Sequence, residues 1–152
     1  MKKKIKGIWL FGYSSSGKTF ASKIISKKIK KKIILDGDEI RRYVSTDLNY
    51  IKKDRITQTK RILGFAIIAI KQNLFPIIST SYLSKKVADF AKKKDIKVVE
   101  ITREKSKLFK KITNKKNVVG KDIFYENFLR EKIHNDKNFK RKITIFIKKL
   151  NF

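Results

Sequence analysis

Eight residues near the start of the chain have the types and spacing of a phosphate-binding loop. Residues 12–19 read Gly-Tyr-Ser-Ser-Ser-Gly-Lys-Thr and fit the Walker A pattern G-x-x-x-x-G-K-[ST]. Glycines let backbone N–H groups converge on an anion, and the helix that follows adds partial positive charge. The pattern therefore predicts binding of a nucleoside triphosphate, with the lysine at its β- and γ-phosphates and the threonine hydroxyl on Mg²⁺. The residues assigned to the phosphates are Gly12, Ser14, Ser15, Ser16, Gly17, Lys18 and Thr19.

Two carboxylates follow the next apolar run. Residues 33–41 read Ile-Ile-Leu-Asp-Gly-Asp-Glu-Ile-Arg, which places Asp36 and Asp38 where a strand ends. In open α/β sheets, ligands bind beyond the carboxyl ends of the strands, the edge that also carries the phosphate loop. Both aspartates are therefore candidates for holding Mg²⁺ through water and for accepting a proton, and Arg41 can face the same cleft. The alternative interpretation is an ordinary Asp-Gly-Asp turn in which Asp38 caps the next helix.

The elements that must position these residues alternate between short β-branched runs and longer helical periods. Such alternation predicts one α/β domain over residues 1–152, a three-layer sandwich with a mostly parallel sheet. Residues 105–120 favour a short helix that runs into a mobile loop, and Asn135 or Asp136 could cap the last helix. The predicted strands are residues 5–11, 33–35 (buried), 75–80 and 97–101, and the predicted helices are residues 18–30, 39–44, 55–72, 85–93 and 136–150.

The composition limits the classes of function. The chain has no cysteine, which excludes disulfides, thiolate metal sites and a cysteine nucleophile, and its single histidine excludes a polyhistidine metal centre. A net charge of +28 suits anionic partners, but most of the cations are lysines scattered over the whole chain, as in proteins of AT-rich genomes. The longest apolar runs, residues 8–11 and 62–70, are too short for a signal sequence or a membrane span. We therefore expect a cytoplasmic protein with no membrane and no nucleic acid as partner.

Several further segments match one known family in order. The family pattern LDGDxxR occurs at residues 35–41, and DLGFxxxDR occurs as Asp-Leu-Asn-Tyr-Ile-Lys-Lys-Asp-Arg at residues 47–55. TSFIS occurs as Thr-Ser-Tyr-Leu-Ser at residues 80–84, and KNFTGID as Lys-Asn-Val-Val-Gly-Lys-Asp at residues 116–122. Together with the phosphate loop, these segments span about residues 5–135. The chain thus resembles the adenylylsulfate (APS) kinases, which are P-loop kinases.

The resemblance implies an enzyme that uses ATP and Mg²⁺ to phosphorylate the 3′-hydroxyl of APS in sulfate activation. Asp38 would be the base and, with Thr19, lie beside Mg²⁺, while Lys18 would be the catalytic cation. A short lid at about residues 105–120 would close over the site, and the family suggests a homodimer. The resemblance also implies that Tyr50 and Tyr82 sandwich the adenine of the acceptor. Without the resemblance, the two tyrosines are predicted to be ordinary half-buried aromatics, and Ser84 a helix N-cap. The substrate-binding positions that it implies are Asp36, Arg41, Tyr50, Arg55, Gln58, Tyr82, Ser84 and Lys116.

The chain also departs from the family pattern, and this keeps other functions open. Where the family has x-E-N-I-R-R, residues 56–61 read Ile-Thr-Gln-Thr-Lys-Arg, and the lid segment, residues 107–116, is shorter than usual. One alternative is a related kinase for another activated nucleotide, such as cytidine diphosphoramidate. Another is a basic P-loop protein that binds RNA or a different polyanion, although no RNA-binding module is visible.

Overall fold

The computed structural model describes residues 4–109, 114–129, 131–150 and 152. The strands in this part of the chain are β1 (Gly7–Phe11), β2 (Lys32–Asp36), β3 (Phe75–Thr80), β4 (Ile96–Arg103) and β5 (Lys132–Asn135). The helices are α1 (Lys18–Ser26), α2 (Gly37–Tyr43), α3 (Lys52–Lys71), α4 (Lys85–Lys93) and α5 (Phe139–Lys149), with one 3₁₀ turn at Lys105–Lys107.

The described strands form one parallel sheet in the order β2-β3-β1-β4-β5. The chain runs from β1 towards one edge of the sheet and later returns to continue on the other side of β1. The carboxyl end of β1 therefore lies where the strand order reverses, which is where α/β sheets form a ligand crevice. The phosphate loop begins at this point, directly after Phe11.

Alternation along β1 builds both faces of the sheet. Trp9 and Phe11 pack into a core with α3 and α4, whereas Ile8 and Leu10 pack on the opposite face with α1 and α5. The indole Nε1 of Trp9 donates to Thr80 Oγ1 at 2.8 Å, which ties β1 to β3 beside the crevice. The fold is thus an α/β sandwich of three layers, as predicted.

Some element boundaries differ from the sequence-based prediction. Helix α1 ends at Ser26 rather than Lys30, because the chain leaves it through turns in which Lys28 and Ile29 donate to carbonyls only three residues back. Strand β2 lies at the sheet edge and is not a buried strand, since the Ile34 side chain is 45% exposed. Helix α3 begins three residues early, at Lys52.

The C-terminal region departs most from the prediction. Strand β5 was not predicted, because only one of its four residues, Ile133, is buried and no alternation is visible. Helix α5 begins at Phe139, with Asn138 as its N-cap and not Asn135 or Asp136. The Asp136 carboxylate accepts from the Asn138 N–H at 2.9 Å, so it shapes the turn that leads into the helix.

Candidate active site

The phosphate loop adopts a backbone that two glycines make possible. Gly12 has a φ of 153°, and a Cβ there would lie 2.2 Å from the carbonyl oxygen of Ile101 on β4. Gly17 has a φ of 109°, and Ser15 between them has a φ of 66°, which non-glycine residues adopt rarely. The loop therefore has three positive φ angles within six residues, a backbone conformation that ordinary turns do not require.

Lys18 lies folded over this loop. Its ammonium donates to the carbonyl oxygens of Gly12 at 2.7 Å and of Tyr13 at 2.8 Å. Burial lowers the pKa of Lys18 from 10.5 to about 8, although the charges of Asp38 and Asp36 act in the opposite direction. The loop thus contains a poorly solvated cation that an anion would stabilise.

The two aspartates of the Asp-Gly-Asp turn have different surroundings. Asp36 caps helix α2, because its Oδ1 accepts from the N–H groups of Asp38 at 2.9 Å and Glu39 at 3.4 Å. Asp38 lies in the first turn of that helix with an exposed side chain at the cleft, where its charge acts on both Lys18 and Arg55. The capping role that the turn interpretation gave to Asp38 therefore belongs to Asp36, and Asp38 is left available for chemistry.

Two arginines meet around one tyrosine. The guanidinium carbons of Arg41 and Arg55 lie 4.7 Å and 5.4 Å from the centre of the Tyr50 ring. Arg41 donates to the Asn49 carbonyl at 2.7 Å, and Arg55 donates to the carbonyls of Tyr50 at 2.9 Å and Asn117 at 2.8 Å. Burial and the nearby Arg41 lower the pKa of Arg55. Because the two cations are close and partly desolvated, this corner of the cleft attracts an anion.

Tyr50 and Tyr82, the two tyrosines predicted to stack on the nucleobase of the acceptor, differ in exposure. The Tyr50 side chain is 53% exposed, whereas Tyr82 is 4% exposed and packs with Val119 and Ile123. Burial raises the pKa of Tyr82. Both rings line the same cleft. The half-buried interpretation fits Tyr50 but is wrong for Tyr82, which is a core residue.

Gln58 presents an unpaired oxygen at the cleft. Its side chain is 4% exposed, and its Nε2 donates to the carbonyl of Gly37, inside the Asp-Gly-Asp turn, at 3.1 Å. Its Oε1 is buried and has no hydrogen-bond partner among the described residues. A buried oxygen of this kind is costly unless a ligand supplies a donor.

Most of the sequence-predicted residues come together in one cleft of about 990 Å³. Gly12, Ser16 and Gly17 do not line it. Gly12 lies against the Ile101 carbonyl, Gly17 lies against Asn135, and Ser16 is buried. The sequence interpretation missed Ser45 and Ser79, which line the cleft with buried hydroxyls that lack a partner among the described residues. Neither serine belongs to a recognisable pattern. The predicted residues that line the cleft are Ser14, Ser15, Lys18, Thr19, Asp36, Asp38, Arg41, Tyr50, Arg55, Gln58, Tyr82 and Lys116.

Ser84 does not line this cleft. Its Oγ accepts from the Val87 N–H at 3.4 Å and caps helix α4. Ser84→Ala is therefore expected to lower the free energy of unfolding by about 0.5–2 kcal/mol, the usual cost of a lost N-cap. Urea unfolding measures the loss, and ligand affinity of the cleft should not change. A large drop in ligand affinity at unchanged stability would contradict the capping role.

Part of the predicted lid forms a wall of the cleft. Residues 110–113 lie outside the described residues, but the segment from Lys115 to Val119 lines the cleft. The Asp122 carboxylate accepts from the Val118 N–H at 2.8 Å, which folds this segment into a turn. Gly120 has a φ of 95°, and a Cβ there would lie within 2.9 Å of the Tyr13 ring, so this turn rests on the phosphate loop.

The donor set of the cleft suits Mg²⁺ bound together with phosphates. Among the described residues no group of three or more acidic, histidine or cysteine side chains could hold a metal ion alone. The cleft does offer the Thr19 hydroxyl and the Asp38 carboxylate beside the phosphate loop. Magnesium commonly takes one or two protein oxygens and completes its shell with phosphate and water, so these residues fit it.

None of the helices in the described part of the chain has the length and apolar composition of a membrane span.

Known proteins resemble the chain over most of its length. The family model for adenylylsulphate kinase matches residues 4–127. Cytidine diphosphoramidate kinase of Campylobacter jejuni is 30% identical, with 94% of this chain and 95% of that protein covered. A probable adenylyl-sulfate kinase of Pyrococcus abyssi is 29% identical over 62% of this chain and 56% of its own length.

Solved structures share the fold. The APS kinase of Mycobacterium tuberculosis, in complex with AMPPNP and APS, superposes with a TM-score of 0.73 at 18% identity. That superposition covers 95% of this chain and 96% of the other. A gluconokinase of Sinorhizobium meliloti superposes with a TM-score of 0.62 at 12% identity, over 98% and 95% of the two chains. The fold is therefore that of the P-loop kinases.

Proposed function

The chain belongs to the adenylylsulphate kinase family of P-loop kinases, and from that premise we propose that it transfers the γ-phosphoryl group of ATP to a hydroxyl of an activated nucleotide. One observation carries this proposal. A single cleft contains the phosphate loop with Lys18, a carboxylate in Asp38, and an anion-attracting pair in Arg41 and Arg55. A donor phosphate, a base and an acceptor anion would thus meet in one place.

The phosphate loop would hold the donor. Backbone N–H groups of the loop and the Lys18 ammonium would neutralise the β- and γ-phosphates of ATP. Negative charge builds up at the bridging oxygen between them during transfer. Thr19 and Asp38 would hold Mg²⁺, which supplies further neutralisation of phosphate charge when it is bound. Burial around Lys18 strengthens these interactions, because water competes less with them.

Asp38 would orient the acceptor. Its carboxylate is free of the capping role, so it can accept the proton of the attacking hydroxyl as the oxygen bonds to the γ-phosphorus and the bond to the β,γ-bridging oxygen breaks. Arg41 and Arg55 would bind the anionic 5′ group of the acceptor, with Tyr50 and Tyr82 beside its base. Holding both reactants in line supplies much of the rate enhancement.

Two acceptors are candidates. Adenylylsulfate is supported by the ordered motifs and by the family model. Cytidine diphosphoramidate is supported by the C. jejuni relative, which matches over nearly the full length of both chains. The unpaired Oε1 of Gln58 needs a donor, and either nucleotide could supply one from its exocyclic amino group or its ribose hydroxyls.

The test is ADP release by the full chain with Mg-ATP, compared between adenylylsulfate, cytidine diphosphoramidate and no acceptor. We expect one of the two nucleotides to raise ADP release well above the rate without acceptor. Equal rates in all three reactions, with ATP bound, would contradict the proposed activity.

Gln58→Met tests whether Oε1 of Gln58 accepts a hydrogen bond from the acceptor nucleotide. We expect the KM for the preferred acceptor to rise about threefold to tenfold, the worth of one neutral hydrogen bond, with the KM for ATP unchanged. Lys60→Gln is the matched control, because Lys60 lies on the same helix with an exposed side chain outside the cleft. An equal rise in both KM values for Gln58→Met would point to displacement of the Asp-Gly-Asp turn instead.

A further inference from the structure

Two side chains that the mechanism above does not use hold the phosphate loop from outside. Arg103, the last residue of β4, donates from Nη1 to the Ser15 carbonyl at 3.0 Å. Asn135, the last residue of β5, donates from Nδ2 to the Ser16 carbonyl at 2.8 Å. Arg103 and Asn135 are register partners in the β4–β5 pairing, so one position of the sheet supplies both donors.

These contacts fix the direction of two consecutive peptide groups. In a planar trans peptide the carbonyl and the following N–H point in opposite directions. With the Ser16 carbonyl held by Asn135, the Gly17 N–H points away from Asn135. With the Ser15 carbonyl held by Arg103, the Ser16 N–H points away from Arg103 and donates to the Tyr13 carbonyl at 3.1 Å.

The loop needs such support because its backbone is strained. Ser15 has a φ of 66°, a conformation that costs energy in a residue with a side chain and persists only where its surroundings impose it. The fit is also close, since a Cβ on Gly17 would lie 2.5 Å from Asn135 Nδ2. The Nε of Arg103 is buried with no partner among the described residues, while Nη1 of the same guanidinium donates to the loop.

We propose that Arg103 and Asn135 are positioning residues that set the phosphate loop in its anion-binding conformation before the nucleotide arrives. Donors arranged in advance bind an anion more tightly than donors that must first reorganise. The proposal rests on the proposed function only in assigning nucleotide phosphates to the loop. It makes no use of the acceptor.

The experiment is titration calorimetry of the full chain with ADP and Mg²⁺, which needs no acceptor. Arg103→Met and Asn135→Leu preserve side-chain bulk and remove the donors. We expect each to weaken ADP binding about tenfold, in line with a lost hydrogen bond in a charged site. Because both residues hold one loop, the double variant should lose less than the product of the two single effects.

The matched control is Thr102→Val. Thr102 and His134 form the adjacent register pair on the same two strands, and their side chains pair with each other at 3.1 Å instead of with the loop. ADP affinity should not change in this variant. Amide hydrogen exchange at Ser16 and Gly17 should accelerate in Arg103→Met and Asn135→Leu but not in Thr102→Val.

A conservative variant separates positioning from general stability. Arg103→Lys retains one charged donor, so it should recover part of the ADP affinity lost in Arg103→Met. If Arg103→Met does not fold, Asn135→Leu alone carries the test. ADP affinities within twofold of the unchanged chain for both Arg103→Met and Asn135→Leu, with unchanged exchange at Gly17, would overturn the proposal. So would a loss of affinity in Thr102→Val equal to that in Asn135→Leu.

Discussion

Asp38→Asn is expected to lower kcat about 10²- to 10⁴-fold, the range that loss of a positioned general base produces. The amide keeps the size of the side chain but cannot accept the proton of the attacking hydroxyl. The KM for ATP at pH 7 should rise much less than kcat falls, because the phosphate loop, Lys18 and Thr19 stay in place and only one of the two proposed Mg²⁺ ligands is weakened. Single-turnover measurement of ADP formation at saturating ATP and acceptor tests the chemical step directly.

The surroundings of Asp38 make this substitution easy to interpret. Asp36, not Asp38, caps helix α2. The free energy of unfolding of Asp38→Asn should therefore lie within about 0.5 kcal/mol of that of the unchanged chain. Glu39→Gln is the matched control, because Glu39 lies next to Asp38 in the same helical turn, is exposed and does not line the cleft. A normal kcat in Asp38→Asn, or an equal loss in Glu39→Gln, would remove Asp38 from the role of base.

The sequence predicts those parts of the site whose geometry is local. The phosphate loop is one: strand, glycine spacing, lysine and helix lie within 20 residues, and the structure places them as expected. The carboxylate pair is local as well, but its spacing alone leaves open which aspartate caps the helix. The bonds from the Asp38 and Glu39 N–H groups to Asp36 decide this, since a residue caps by its place before the first turn.

Contacts between distant segments could not be predicted from the residues alone. Arg55 joins Tyr50 to Asn117, which lies 62 residues away, and only the fold brings that carbonyl to the guanidinium. Asn135 reaches Ser16 across 119 residues from a strand whose four residues have no periodic pattern. Short edge elements of this kind are stabilised by pairing with a neighbour, so their own sequence carries little signal.

Lys18→Met is expected to lower turnover about 10²- to 10³-fold, the cost of losing one preorganised charged donor at the transferring group. The free energy of unfolding of Lys18→Met at pH 7, by contrast, should rise or stay unchanged. Because burial lowers the pKa of Lys18 to about 8, the native chain binds fewer protons than the unfolded chain between about pH 8 and 10.5. The cost of burying the ammonium is therefore fully present below pH 8 and is relieved as the pH rises through that window. At pH 7 the Met variant avoids this cost.

The same pKa predicts how ATP binding depends on pH. The phosphates of ATP favour the charged form of Lys18, so above about pH 8 binding must take up a proton, and affinity should fall by up to about tenfold per pH unit. Calorimetric titration with ATP from pH 7 to 9.5 measures this slope, and the terminal phosphate is already ionised over that range. Lys18→Met is the control, since its weaker affinity should not vary with pH. A flat profile in the unchanged chain would mean that Lys18 stays fully charged in the ligand-free loop, and an equal slope in both proteins would place the titrating group elsewhere.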